Sequence, residues 1–365
     1  MTAAVSTPKA APIDPARQEA FEGRLLTALN EACLMLMTSI GHRSGLFDAL
    51  SGAGPMTAEA LAARADLHER YVREWLGAMV AGGIVEIDPE AATYSLPAEH
   101  AALLTRSGEA NLAVYAQYVP LLGSVEEDLL TCFREGGGVP YERYSRFHEV
   151  MAEDSGQAVL PALISDILPL VPDLIARLES GIRVLDAGCG RGRALMLMAE
   201  RFPKSQFTGF DLSKDATAWA RDEAERKGLG NVTYEARDLS DFDATAPQAA
   251  FDLVTTFDAV HDQAQPLRLL KGIRRALAEG GVYLAQDIKG SSHHHLDRDH
   301  PLGPMLYTVS CMHCMTVSLA QGGEGLGAMW GRETAERYFA EAGFGAVDAH
   351  ELEHDPVNYY YVCRP

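Results

Sequence analysis

The chain has 365 residues, 47% of them apolar and 22% charged, which suits a globular protein with a substantial core and room for two domains. Its formal net charge of −20 repels nucleic acid and anionic membrane, no apolar run approaches the ~20 residues of a membrane span, and the Ala/Pro-rich N-terminus lacks the apolar centre of a secretory signal. Six cysteines with one close pair make no disulfide framework, so the expectation is a reduced, cytoplasmic protein.

Residues 1–18 read as a disordered tail. From Phe21 the run "FEGRLLTALNEACLMLMTSI" is a long apolar helix, too hydrophobic for a lone surface, and it is expected to pack on a second copy of the chain. "MTAEALAARA" and "HERYVREWLGAMVAGG" follow as shorter helices, the second with Tyr71, Val72, Trp75, Leu76, Met79 and Val80 on one face. "GIVEIDPEAATYSLP" is a hairpin, so helix, helix and hairpin make a winged-helix plan over 19–105. Between Thr57 and Trp75 stand three arginines and four acids. A helix that reads a DNA groove needs a basic balance, so dimerisation is the favoured role and nucleic acid is not an expected partner. Residues 106–178 read as a helical linker that contributes to the active site.

From Ile182 strands alternate with helices, which predicts a parallel sheet covered on both faces, closed by an antiparallel hairpin at "EHDPV". The first strand runs into "LDAGCGRGR", where Gly188, Gly190 and Gly192 permit positive φ and close approach of a ligand. Arg193 stands where a dinucleotide loop wants its last glycine, and no Lys-Ser/Thr follows for a P-loop. The next strands end in Asp211, Asp238 and Asp258, three acids expected at one edge of the sheet. Asp211 suits a ribose diol, and Asp238 suits an adenine amino group.

With those segments in order, residues 182–365 resemble the class I S-adenosylmethionine-dependent methyltransferases. From about residue 20 to its end, the chain resembles bacterial winged-helix small-molecule methyltransferases, through "SIGHRSGLFDAL", "ERYVREWLGAMV" and "VSLAQGGEGLG". The resemblance implies a seven-stranded Rossmann-like α/β sheet over 179–365 with the last strand antiparallel, a lid insertion at 289–330, and S-adenosyl-L-methionine as cofactor. Asp186, Gly188, Cys189, Gly190 and Gly192 would lie along the donor, Asp211 and Leu212 at the ribose, Asp238 and Leu239 at the adenine, and Phe257 at the end of the fourth strand. "RFHEVM" resembles the Phe-Asn-x-x-Met helix of small-molecule O-methyltransferases, so Phe147 and Met151 would cover the donor and His148 would face the acceptor pocket.

His261 and Asp258 are the candidate catalytic residues. His261 is a base suited to a hydroxyl acceptor, at the place where plant-type O-methyltransferases carry His-Asp-Trp, and Gln263 replaces the Trp. Asp258 reads better as a pocket wall or donor-side contact. Met312, His313 and Trp330 in the insertion are expected to line the pocket of a small-molecule acceptor. His293, His294, His295, Cys311, His313 and Cys314 carry metal-ligating chemistry, but methyl transfer needs no metal and none is expected. The reading is methyl transfer to a thiol or a hydroxyl. Rival readings are a winged-helix transcriptional regulator and a non-catalytic S-adenosylmethionine-binding protein.

Overall fold

The computed structural model describes residues 12–108 and 110–365. It divides between Val119 and Pro120 into two compact units. No helix among the described residues is long and apolar enough to cross a membrane.

The N-terminal unit opens with α1 (Pro15–Ser44), which starts six residues before the apolar run and inside the expected tail. The cause is local: the Asp14 carboxylate accepts from the Ala16 and Arg17 N–H groups, and Pro15 sits at the first helical position with φ already fixed. Residues 1–11 of the expected tail lie outside the described residues. At its far end Gly45, at φ 75°, returns its N–H to the Gly41 and His42 carbonyls. α2 (Leu46–Leu50), α3 (Ala58–Ala65) and α4 (Glu69–Ala81) follow, then the antiparallel pair β1 (Glu86–Asp88) and β2 (Thr93–Ser95) and α5 (Ala98–Leu104).

Trp75 centres this unit. It is buried against Phe47 at 5.2 Å, and its indole N–H donates to the Met37 carbonyl at 2.9 Å. Val72, Leu76 and Met79 are buried beside it, each fully buried apolar side chain contributing about 1.5–3 kcal/mol. Tyr71, expected on that face, is 79% exposed. It lies one position before Val72, about 100° around the helix, which turns it past the edge of the buried stripe.

In the second unit α6 (Tyr118–Gly123), which begins just before the division, leads to α7 (Glu126–Glu135), α8 (Phe147–Ala158) and α9 (Leu174–Ser180). The sheet then forms from β3 (Arg183–Ala187), β4 (Gln206–Asp211), β5 (Val232–Ala236), β6 (Phe251–Phe257), β7 (Leu277–Ile288), β8 (Ala346–Leu352) and β9 (Asp355–Arg364). Its order is β5-β4-β3-β6-β7-β9-β8, with β9 antiparallel to both neighbours. Alternate residues serve opposite faces. Val184 and Leu253 pack with Leu195 and Met198 of α10 (Arg193–Arg201) and Ala220 of α11 (Lys214–Arg226). Leu185 and Val254 pack on the other face, with Phe242 of α12 (Phe242–Thr245), Leu270 and Ile273 of α13 (Pro266–Ala276) and Phe339 of α16 (Arg332–Glu341).

The strand order reverses between β3 and β6, which opens a crevice beyond their carboxyl ends. Between β7 and α16 the chain adds α14 (Gly303–Val309), a π-helical turn over 310–314 and α15 (Met315–Ala320). Residues 138–144 dock on this insertion: the Val139 N–H donates to Thr316 Oγ1 at 2.8 Å, and the Tyr144 hydroxyl donates to the Met312 carbonyl.

Candidate active site

Each glycine of the loop after β3 has its own reason to lack a side chain. All three have positive φ: 86° at Gly188, 53° at Gly190 and 64° at Gly192. A Cβ at Gly188 would stand 2.6 Å from that of Ala259, and one at Gly192 would stand 2.1 Å from the Tyr234 ring, whose hydroxyl donates to the Gly192 carbonyl. At Gly190 a Cβ would meet nothing within 4 Å, so this glycine borders open space. α10 then starts at Arg193 without a side-chain cap.

The acids gather around that space. Asp211 accepts from the Gly190 N–H at 2.7 Å through one oxygen and from the Ser213 N–H at 2.8 Å through the other. Each oxygen keeps a second lone pair for a diol. Beside it Leu212 is 46% exposed, an apolar surface at a strand end. Asp186 is buried and accepts from the Thr255 hydroxyl at 2.8 Å; burial pushes its carboxyl up to about 7, with Asp211 adding and the Thr255 hydrogen bond opposing. Asp238 is exposed and accepts from the Ser240 N–H, while Leu239 beneath it is buried. Cys189 is half-buried, and burial raises its thiol. Phe257 packs against the core that β6 shares with α10. Open backbone at Gly190, a diol acceptor and an exposed apolar residue fit a nucleoside.

At the end of β6 the chain turns through Asp258 at φ 49°, a conformation that Asp tolerates better than most residues. Its N–H donates to the Gln286 carbonyl, and one carboxylate oxygen accepts from the Gln286 amide at 3.1 Å. Burial and the charge of Asp287 hold the Asp258 carboxyl well above the usual range. The turn drives His261 inward, where it is 3% exposed. His261 Nδ1 lies 2.6 Å from Asp287 Oδ1, and that same oxygen accepts from the Trp330 indole N–H at 3.0 Å and the Ile288 N–H at 2.9 Å. His261 Nε2 stands 3.1 Å from Asp262 Oδ1, within ion-pair range but off the geometry of a hydrogen bond. Burial disfavours the imidazolium, but Asp287 and Asp262 outweigh it and hold the His261 pKa well above 6.5.

An aromatic wall faces this group. His313 is buried and stacked on Phe147 at 3.4 Å, with the edges of Tyr144 at 4.8 Å and Tyr141 at 5.2 Å. Neither His313 nitrogen has a hydrogen-bond partner among the described residues, and burial pushes its pKa down to about 4. His148 stacks on Tyr141 at 5.6 Å, and Met151 is half-buried one turn beyond Phe147. Burial raises the Tyr141 hydroxyl, and Asp262 and Asp211 add to the shift, so Tyr141 lies within the field of both ends of the crevice.

Two expectations change. Trp330 is buried, and its indole N–H donates to Asp287. Met312 and Cys311 line a cleft of about 400 Å³ with Leu129, Leu130 and Phe133, and His261 is not among its walls. His293, His294 and His295 are exposed in a turn and do not join Cys311 or Cys314.

Known proteins match the same segments. Residues 32–106 match the family model described as an Rv2258c-like winged HTH domain, and residues 178–353 match one described as a methyltransferase domain. Trans-aconitate 2-methyltransferase of Acidovorax sp. (strain JS42) is 34% identical over 116 residues, which are 31% of this chain and 42% of that protein. The 2-heptyl-1-hydroxyquinolin-4(1H)-one methyltransferase of Mycobacteroides abscessus is 32% identical over 120 residues, 31% of this chain and 50% of that protein. The chain thus spans half or less of the length of these curated relatives. Among solved structures, PigF with SAH superposes with a TM-score of 0.68 at 20% identity, covering 97% of this chain and all of that one, a likeness of fold. The chain thus joins a winged helix-turn-helix domain over residues 32–106 to a methyltransferase domain over residues 178–353, for which S-adenosylmethionine is the cofactor.

Proposed function

We propose that this protein methylates a hydroxyl group of a small, partly apolar molecule, with His261 as base. The observation that carries this reading is the buried Asp287–His261 pair at 2.6 Å. A thiol ionises readily enough to do without such a base, whereas a hydroxyl does not. The hydroxylated quinolone that names the mycobacterial relative is an acceptor of this chemistry.

S-adenosylmethionine, when bound, supplies an electrophilic sulfonium methyl. The chain's own part is position and proton transfer. Asp211 and the backbone around Gly190 orient the nucleoside, and Phe147 with Tyr141 closes the crevice against water. Holding the acceptor oxygen in line contributes about 7–11 kcal/mol of barrier lowering. Asp287 accepts a hydrogen bond from the Nδ1–H of His261, fixing the tautomer whose Nε2 lone pair accepts the hydroxyl proton.

The test is a panel of phenols, hydroxyquinolones, carboxylic acids and thiols, read by S-adenosylhomocysteine formation. His261→Ala should cost about 10²–10⁴-fold in kcat on hydroxyl acceptors. A loss within a few-fold on every active acceptor would remove His261 from proton transfer.

A further inference from the structure

Proton transfer as proposed uses one lone pair of His261, yet the residues around that lone pair form a set it does not explain. Donor atoms of His261, Asp262 and Cys314 all lie within 4.8 Å of one another. Cys314 is 4% exposed and His261 3%. Asp262 Oδ1 is buried with no hydrogen-bond partner among the described residues. Beside it His313, fully buried and without a hydrogen-bond partner among the described residues, holds Nδ1 at 4.0 Å from Asp262 Oδ2. Unpartnered buried polar atoms cost free energy unless something else binds them. Buried polar atoms without hydrogen-bond partners on Asp262 and His313, next to a thiol and an imidazole, suit a polar or ionic occupant.

We propose that His261 Nε2, a carboxylate oxygen of Asp262 and Cys314 Sγ bind a divalent transition metal of the zinc class. Two donors held at about 2.0 Å by a tetrahedral ion stand roughly 3.3 Å apart, close to the 3.1 Å already separating Nε2 from Asp262 Oδ1. Nδ1 of His261 stays on Asp287, the carboxylate–histidine–metal arrangement that orients an imidazole ligand. On binding, the Cys314 thiol releases its proton to solvent as the sulfur–metal bond forms. The thiolate and Asp262 then balance the two charges of the ion, which suits a buried site. A fourth position stays open for water, which His313 can hydrogen-bond. Metal and proton transfer need the same Nε2 lone pair, so the ion inhibits methylation of hydroxyl acceptors; this consequence rests on the reading of His261 as base.

Full-length reduced protein, stripped with chelator, is titrated with Co²⁺. The expected result is one ion per chain, with a thiolate-to-cobalt charge-transfer band and tetrahedral visible bands that Zn²⁺ abolishes. Cys314→Ser should lose the charge-transfer band, and Asp262→Asn should weaken Co²⁺ binding at least tenfold, both still binding S-adenosylhomocysteine by calorimetry as a check of fold. Absence of the band in the wild-type protein, or an equal band in Cys314→Ser, overturns the site. Should Cys314→Ser fail the fold check, Asp262→Asn decides, and undiminished Co²⁺ affinity there sinks the proposal. Added Zn²⁺ should inhibit methylation and chelator should restore it. Stoichiometric metal without inhibition would keep the site and remove His261 as the base, so the two failures separate.

Discussion

His261 sits between two carboxylates, and that placement sets its pH behaviour. Burial favours the neutral ring, while Asp287 and Asp262 favour the charged one and prevail, so the resting side chain holds its proton above the pH at which an ordinary histidine releases it. A base must be neutral to act. With chelator present, kcat/KM on a hydroxyl acceptor is therefore expected to rise with pH along a limb centred above 6.5. Asp262→Asn removes one of the two charges and should move the limb to lower pH. A limb at or below 6.5 that ignores this substitution would show that some other group titrates. Asp186 makes an independent case. Its carboxyl is pushed up to about 7, so between its unfolded value near 3.9 and 7 the folded state holds the extra proton and stability drains as pH rises. Asp186→Asn, which can still accept from Thr255, should gain in Tm on the wild type between pH 4.5 and 7.5; a gap independent of pH would contradict the shift. His261 and Asp258 were legible in the sequence because an apolar strand rarely ends in ionisable residues. Asp287 was not, because it closes a buried strand like any edge residue. Only the parallel register of β6 and β7, which pairs Phe257 with Gln286, brings Asp287 to His261. Tyr141 and Tyr144 escaped notice for the same reason, since their irregular segment has no periodicity to read and finds its place by docking on the insertion.

Among the elements, the glycine loop shows how much a short motif can specify. Its spacing announced a ligand turn, and the structure separates two glycines that avoid collisions from one that borders open space. Gly192→Ala is the sharper test. It meets both a left-handed φ and the Tyr234 ring, so it should lower stability by about 1–3 kcal/mol and weaken S-adenosylhomocysteine binding. Unchanged melting and calorimetric affinity would mean that the loop relaxes freely. α1 raises a different matter. Phe21, Leu25, Leu29, Leu36 and Ile40 are each 41–61% exposed, and their spacing of four and seven residues aligns them along one side of the helix. The apolar run was plain in the sequence; the capping by Asp14 that lengthens the helix was hidden behind an Ala/Pro-rich stretch. A second copy of the chain is the proposed cover for this stripe, because symmetric self-pairing buries it twice over. Sedimentation at micromolar concentration should then find a dimer, and Leu25→Glu with Leu29→Glu should give a monomer. A wild-type monomer would leave the stripe to some other partner.

For the molecule as a whole, a winged helix joined to a cofactor domain invites the reading of a ligand-sensing regulator, and we propose from its charge that it does not bind DNA. Binding to DNA gains most of its free energy from counterions released as Lys and Arg meet phosphate. This chain carries 51 acids against 31 bases, so its long-range field opposes the approach. Locally the position is no better. On α4, the helix a winged-helix reader would lay in the groove, Arg70 pairs with Glu74 at 2.5 Å and Arg73 with Glu69 at 3.2 Å. Each arginine would have to give up its carboxylate, and that carboxylate would then face the phosphates. Exposed pairs of this kind are weak, about 0.3–0.5 kcal/mol for an i,i+4 pair, so repulsion by the freed acids is the larger obstacle. A gel shift with genomic fragments at low salt and micromolar protein, with and without S-adenosylmethionine, should therefore show no retardation. Basic DNA-binding proteins reach non-specific dissociation constants of about 10⁻⁴–10⁻⁶ M even at physiological salt, which makes low salt the most permissive condition available. A sequence-selective band that weakens steeply as salt is raised would return the winged helix to DNA, and the exposed stripe of α1 would then serve a dimer on paired half-sites.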